Sequence, residues 1–217
     1  MAQRTIHALL GELILKEEPI EDEARFLLGC ILPDAYASRE SREVTHFMDQ
    51  SIPGMRCFDF DAFRARFADR MDDALYLGYY LHLVQDNCYR RFFRARLGLR
   101  IDPNKPEQVA ALHRDYTILN AGVVERFGLR CRVERPTDFE HEPLNALAPF
   151  VLDEFLEEYK RDFTSKETGE LRYLTMEALD EYIAGCLPLC IKELRALKRG
   201  ERFLCARDMA WTRPNSA

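Results

Sequence analysis

The feature that most constrains this chain is the spacing of its apolar residues, which recur every three or four positions over most of its length. Residues 5–16 carry them at 6, 9, 10, 13 and 14, and residues 21–32 carry them at 24, 27, 28 and 31 before stopping at Pro33. This period places one apolar stripe on each helix. Residues 61–71, with Phe63 and Phe67, and the long apolar segment 72–97, closed by Gly98, continue the pattern. Residues 107–127 follow Pro106 and stop at Gly128, the order expected of a helix start and stop. Residues 144–163, bent or started by Pro149, and residues 175–199, kinked by Pro188, complete the helical set. Only residues 129–135 alternate like a short strand, and residues 38–56 and 99–105 read as loops.

The expectation is an all-α fold, a single helical domain over residues 1–210 with a loose tail at 211–217. A chain of 217 residues buries one sizeable core without needing a second domain. A net charge of −6 argues against general nucleic-acid binding and leaves any phosphate-bearing ligand to a local site. The first residues show no secretion signal, and the longest apolar run, residues 74–84, is interrupted by Gly78 and His82 and is too short to span a membrane. A cytoplasmic location is expected. Seven cysteines without a CxxC pair fit neither a disulfide framework nor a zinc ribbon, and Cys186 and Cys190 read as small core residues on one helix face.

His82 and Asp86 are four residues apart in LGYYLHLVQD, so both side chains leave one helix face one turn apart. Imidazole and carboxylate together suit zinc and, less selectively, manganese, iron or nickel. A helix-surface hydrogen bond or a satisfied core histidine produces the same spacing. Gly78, one turn earlier, opens space beside the pair, and Tyr79 and Tyr89 share its face as hydrogen-bond donors or core residues.

Other elements join this pair: an early His7, then FLLGCILPD ending in Asp34, then THF with His46. Their succession resembles the zinc-dependent phospholipase C family and the related zinc nucleases of the same helical fold, over the first half of the chain. The resemblance implies a helical bundle of that type. It further implies that Asp34, His46, His82 and Asp86 hold one metal, with Asp86 bridging to a second metal held by His7. In secreted members the mature amino terminus also ligates, a part that Ala2 would play here if Met1 were removed. The third metal of those enzymes needs histidines after the HxxxD, where this chain has NCYRRFF, so the expected complement is one or two ions, zinc first.

Asp115, on the same segment as His113 and Tyr116, is the carboxylate expected near the metals to orient water, or else an exposed helix charge. His141 reads as a surface loop residue. Arg90, four residues after Asp86, hydrogen-bonds it or receives a phosphate oxygen, unless Arg90, Arg91 and Arg94 simply complement the helix dipole. The expected activity is metal-dependent hydrolysis of a small phosphate ester: a phosphodiester, a phosphomonoester or a phospholipid headgroup. The alternative is a noncatalytic helical protein with a structural metal, or a metal-free polar core, that binds a partner.

Overall fold

A helix apolar on every side must lie inside the protein, and residues 74–91 have that character. In a computed structural model, which describes residues 3–102 and 104–212, this segment is the central helix. Eight α-helices are present among the described residues: α1 (Arg4–Glu17), α2 (Glu23–Ile31), α3 (Arg39–Thr45), α4 (Phe60–Arg66), α5 (Ala74–Arg91), α6 (Pro106–Phe127), α7 (Leu152–Asp162) and α8 (Met176–Leu197). The all-α expectation holds. One cluster of buried apolar side chains runs from Ile6 in α1 to Ala210 near the carboxy end. No helix among the described residues is long and apolar enough to cross a membrane.

Helix α5 is buried on all faces, with Leu75, Tyr76, Tyr79, Tyr80, Leu81, Leu83 and Val84 without exposed surface. Asp73 caps its start by accepting from the Leu75 backbone N–H at 2.8 Å, and Arg25 of α2 reaches the same carboxylate through Nε at 2.8 Å. Helix α2 lies against α5 at backbone contact distance. A Cβ on Gly78 would stand 2.2 Å from the Phe26 carbonyl oxygen, and one on Gly29 would stand 2.2 Å from that of Leu75. Gly78 therefore makes room for the backbone of α2, not for a ligand beside His82. On another side α8 packs against α5, and its Tyr182 hydroxyl donates to the Gln85 carbonyl at 3.1 Å. Cys186 and Cys190 are buried there with their sulfurs 3.8 Å apart, as their spacing predicts.

Several boundaries differ from the expected ones. Residues 38–56 are not one loop. They hold α3 and one strand of the hairpin β1 (Met48–Asp49) and β2 (Cys57–Phe58). Helix α3 lacks an apolar stripe and is specified by its cap, in which the Ser41 N–H donates to Ser38 Oγ at 3.2 Å and the Ser38 N–H to Ser41 Oγ at 2.8 Å. The alternating residues 129–135 pair with no strand. Pro149 separates a short 3-10 turn, Pro143–Ala146, from α7, because proline disfavours helix in the residue before it. Helix α5 ends at Arg91, where the backbone widens into a π-helical turn, Phe92–Arg96. Trp211 and Thr212 are docked: the Trp211 ring lies 4.6 Å from that of Phe58, and the Arg56 N–H donates to the Thr212 carbonyl. The rest of the expected tail, 213–217, and Ala2 lie outside the described residues.

Candidate metal centre

Five side chains from four elements meet beside the middle of α5. His82 and Asp86 leave one face of α5, His7 comes from the buried face of α1, Asp34 from the 3-10 turn after α2, and His46 from the residue that ends α3. His7, His46, His82 and Asp86 have no exposed surface, and the Asp34 side chain is 8 % exposed. The structure thus brings together all five residues that the sequence singles out as metal ligands.

The hydrogen-bond network fixes which ring nitrogen points inward. His82 Nδ1 lies 2.8 Å from the Cys30 carbonyl oxygen, and His46 Nδ1 lies 3.0 Å from that of Arg42. A carbonyl can only accept, so each Nδ1 carries a proton, and a ring that is neutral turns a bare Nε2 lone pair inward. His7 repeats the arrangement, with Nδ1 2.7 Å from Gln85 Oε1. Two of these inward nitrogens, on His46 and His82, face each other at 3.3 Å. Neither can donate to the other while both rings are neutral, so a cation between them would satisfy both.

The oxygens around them extend the same pattern. His46 Nε2 lies 3.3 Å from Asp34 Oδ1 and 3.7 Å from Asp86 Oδ2, His7 Nε2 lies 3.4 Å from Asp86 Oδ1, and His82 Nε2 lies 4.0 Å from Asp86 Oδ2. His7 Nε2 and Asp34 Oδ1 are buried atoms that make no hydrogen bond among the described residues. Ligands about 2.0–2.1 Å from a tetrahedral ion sit roughly 3.3–3.4 Å from one another, which the 3.3 and 3.4 Å separations match, while the 3.7 and 4.0 Å ones would have to close around an ion. Two triads have all their donor atoms within 4.8 Å of one another, His7, Asp34 and His82, and His46, His82 and Asp86. His82 belongs to both, so the donors form one continuous cluster.

Charge is correspondingly restricted. Burial pushes the His82 pKa down to about 3, helped by the neighbouring His7, whose ring stacks on it at 3.8 Å. Burial also opposes charge on His7, but Asp86, then Asp34 and the Gln85 carbonyl, outweigh it and hold its pKa above the ordinary histidine value. Asp34 and Asp86 stay ionised despite burial because the surrounding imidazoles hold their pKa values down, through His46 above all for Asp34 and His7 for Asp86. Burial thus disfavours charge on His82 beside two ionised carboxylates, an arrangement that suits a cation.

The supporting residues are legible only in part. The close α2–α5 crossing delivers the Cys30 carbonyl to His82. Thr45 donates to the Pro33 carbonyl at 2.9 Å, and Tyr79 donates to the Thr45 carbonyl at 2.6 Å, tying the segments that carry Asp34 and His46 to α5. Phe47, directly after His46, has a left-handed backbone (φ 49°), a strained conformation in a residue with a Cβ. Sequence reasoning missed Gln85 and Asn87, which flank Asp86. Asn87 pairs with both backbone groups of Phe58, at 2.9 and 2.8 Å, and anchors the hairpin to α5. Their signal was present: Gln85, Asp86 and Asn87 are three successive polar residues inside a helix that is otherwise apolar.

Asp115 does not join the cluster. Its carboxylate accepts the backbone N–H groups of Arg172, Tyr173 and Leu174 at 2.9, 2.6 and 3.0 Å, so it is neither a water-orienting group nor an exposed charge but a buried clamp on the segment before α8. Asp115→Ala should cost roughly 2 to 3 kcal/mol, by leaving three backbone donors, one buried and two part-buried, without acceptors, and leave metal content unchanged. Chemical denaturation paired with elemental analysis checks both halves. His113 is exposed on the wall of a cleft, and His141 is exposed at the end of a 3-10 turn.

Asp34 lines that cleft, of about 550 Å³, together with Tyr36, Arg42, Arg90 and Tyr116. The Arg42 guanidinium lies 5.9 Å from the Tyr36 ring centre, and Arg90 lies 5.9 Å from that of Trp211. Arg90 makes no hydrogen bond to Asp86; its Nε is buried without a partner among the described residues. Compared with known proteins, the chain matches no family model, no curated protein and no solved structure.

Proposed function

We propose that this protein is a metal-dependent phosphoric ester hydrolase, holding one or two zinc ions, or manganese, iron or nickel in their place, through His7, Asp34, His46, His82 and Asp86. The observation that carries the reading is the pair of bare Nε2 atoms on His46 and His82 facing each other at 3.3 Å beside two buried carboxylates. The order of its motifs, which resembles that of the zinc-dependent phospholipase C family, supports the same reading. Bound there, the metal supplies Lewis acidity, lowering the pKa of water towards about 7 and neutralising phosphoryl oxygen.

The remaining roles belong to the chain. The carbonyls of Cys30 and Arg42 and the side chain of Gln85 hold the three imidazoles in the tautomer that ligates, as outer partners of metal histidines generally do. Asp34 is the ligand that reaches the cleft, so substrate meets the centre on its side. Arg42 and Arg90 line the approach and receive the non-reacting phosphate oxygens. The cleft suits a small soluble phosphate ester, and the −6 net charge disfavours a long polyanion.

The test is turnover of a chromogenic phosphodiester and a phosphomonoester by protein as purified, metal-stripped protein, and protein reloaded with zinc or manganese. Activity should vanish on stripping, return on reloading, and fall at least about 1,000-fold in His46→Ala, an effect of the size that loss of one catalytic electrostatic group produces. Activity that survives both stripping and substitution excludes the mechanism. Arg42→Met should keep its metal and lose about tenfold in kcat/KM, mainly through KM.

One observation favours a second reading, a structural metal. Four of the five groups have no exposed surface, and a site closed by four protein ligands has no position for water. Full metal content without turnover of any phosphate ester is the result that selects it.

A further inference from the structure

Next to the main cleft lies a smaller pocket of about 110 Å³, and the two share Arg90, Ile101, Leu112 and Tyr116. The small pocket adds Arg94, from the π-helical turn, and Arg100 from the loop after it. Neither guanidinium has a hydrogen bond or ion pair among the described residues, and Arg90 Nε is buried without a partner. The Arg94 pKa lies below the ordinary value, first through partial burial and then through the positive charge of Arg100. Three cations are therefore collected around one small space that no carboxylate lines, Asp86 acting on Arg90 from outside it, although surface arginines elsewhere in this chain, such as Arg96 and Arg126, are paired with acids. The widened π turn, a backbone irregularity frequent at functional sites, is what places Arg94 there in place of the next turn of α5.

The geometry points to a second phosphate subsite, formed by Arg94 and Arg100 beside Arg90, which lines both spaces and lies between the two phosphates, so that the preferred substrate is a small molecule carrying one phosphate at the metal centre and another in this pocket. The inference rests on the hydrolase reading for the first phosphate and on this pocket alone for the second. The volume is well below the roughly 300 Å³ of a pocket for a whole small molecule, so it takes a single group. Planar guanidinium forks match phosphate oxygens in pairs, and a dianion offsets the repulsion among the three arginines. The second phosphate is borne either by a free molecule or by a lipid headgroup, and the chemistry recognised is the same.

The test uses ligands that cannot be hydrolysed. Isothermal titration calorimetry of the full chain, with its metal complement, compares propylphosphonate with the terminal bisphosphonates of propane, butane, pentane and hexane. The best bisphosphonate should bind about tenfold more tightly than the monophosphonate, the scale of one charge-assisted contact. The double variant Arg94→Gln/Arg100→Gln should lose that preference, keep propylphosphonate binding within about twofold, and melt like the parent, because both side chains are exposed. Absence of any preference in the parent protein, or a preference that persists in the double variant, overturns the subsite. Sedimentation with vesicles containing a phosphorylated phosphatidylinositol assigns the second phosphate to a lipid headgroup if binding depends on both arginines, and to a free molecule if vesicles are ignored. A thymidine hexanucleotide that binds more tightly than every bisphosphonate overturns the small-molecule assignment. Because no turnover is read, failure of the hydrolase reading leaves the bisphosphonate preference intact, whereas failure of the subsite leaves monoester turnover intact.

Discussion

Gly78→Ala is expected to remove most of the cooperative fold. The added methyl group would stand 2.2 Å from the Phe26 carbonyl oxygen, 2.9 Å from the Cys30 nitrogen and 3.0 Å from the Gly29 Cα, all backbone atoms that no rotamer change can move aside. The two helices must separate, and α5 carries His82 and Asp86 while α2 leads into the turn that carries Asp34. Ordinary overpacking costs about 1 to 3 kcal/mol; a clash between two backbones should exceed that range and reach about 4 kcal/mol or more. Gly29→Ala meets the same opposition from the other helix and should behave alike. By contrast, Gly185→Ala has nothing within 4 Å of its new Cβ, lies inside α8, and should be neutral or slightly stabilising. Thermal melts followed by circular dichroism separate the cases. A Gly78→Ala protein that melts within a few degrees of the parent would refute the close crossing.

His82→Ala should lower metal content and stability together. His82 belongs to both donor triads, and its neighbours come from segments as far apart as residues 7 and 86, so metal binding is bound up with closure of the fold. Loss of this ligand should cost about 3 kcal/mol of metal-linked stability, or about 10 °C in Tm for a chain of this size. The imidazole also fills space between His7 and the Cys30 carbonyl, so a drop in Tm alone does not single out the metal. The distinguishing comparison is with a chelator: it should lower the parent's Tm towards that of His82→Ala and barely change the variant. Equal responses of both proteins to chelator would remove His82 from the ligand set. His113→Ala, at an exposed ring outside the cluster, should change neither quantity.

The helical class and the meeting of the five side chains were legible in the sequence for different reasons. Helical period ties His82 to Asp86 on one face, whereas His7 and Asp34 were singled out by the resemblance of their motifs to those of a known family, not by periodicity. His46 was legible only through its motif context, because α3 has no apolar stripe and depends on a serine capping box that identical residues elsewhere need not form. Gly78 was misread because a glycine beside ligands and a glycine under a crossing helix look alike in sequence; the partner Gly29 becomes informative only once α2 is known to cross there. Asp115 was misread because its three donors come from residues 172–174, a long-range contact that no local pattern encodes. Residues 129–135 alternate like a strand but have no partner strand, and alternation without a partner does not make a sheet.

The central claim is that the five converging side chains hold metal. Its most direct test is elemental analysis of the chain purified without an affinity tag, before and after exposure to zinc or manganese and removal of excess ion. One or two equivalents per chain are expected, together with a rise in Tm on loading and their loss in His82→Ala. A folded chain that takes up no metal, and whose Tm is the same with zinc, with manganese and with chelator, would contradict the account.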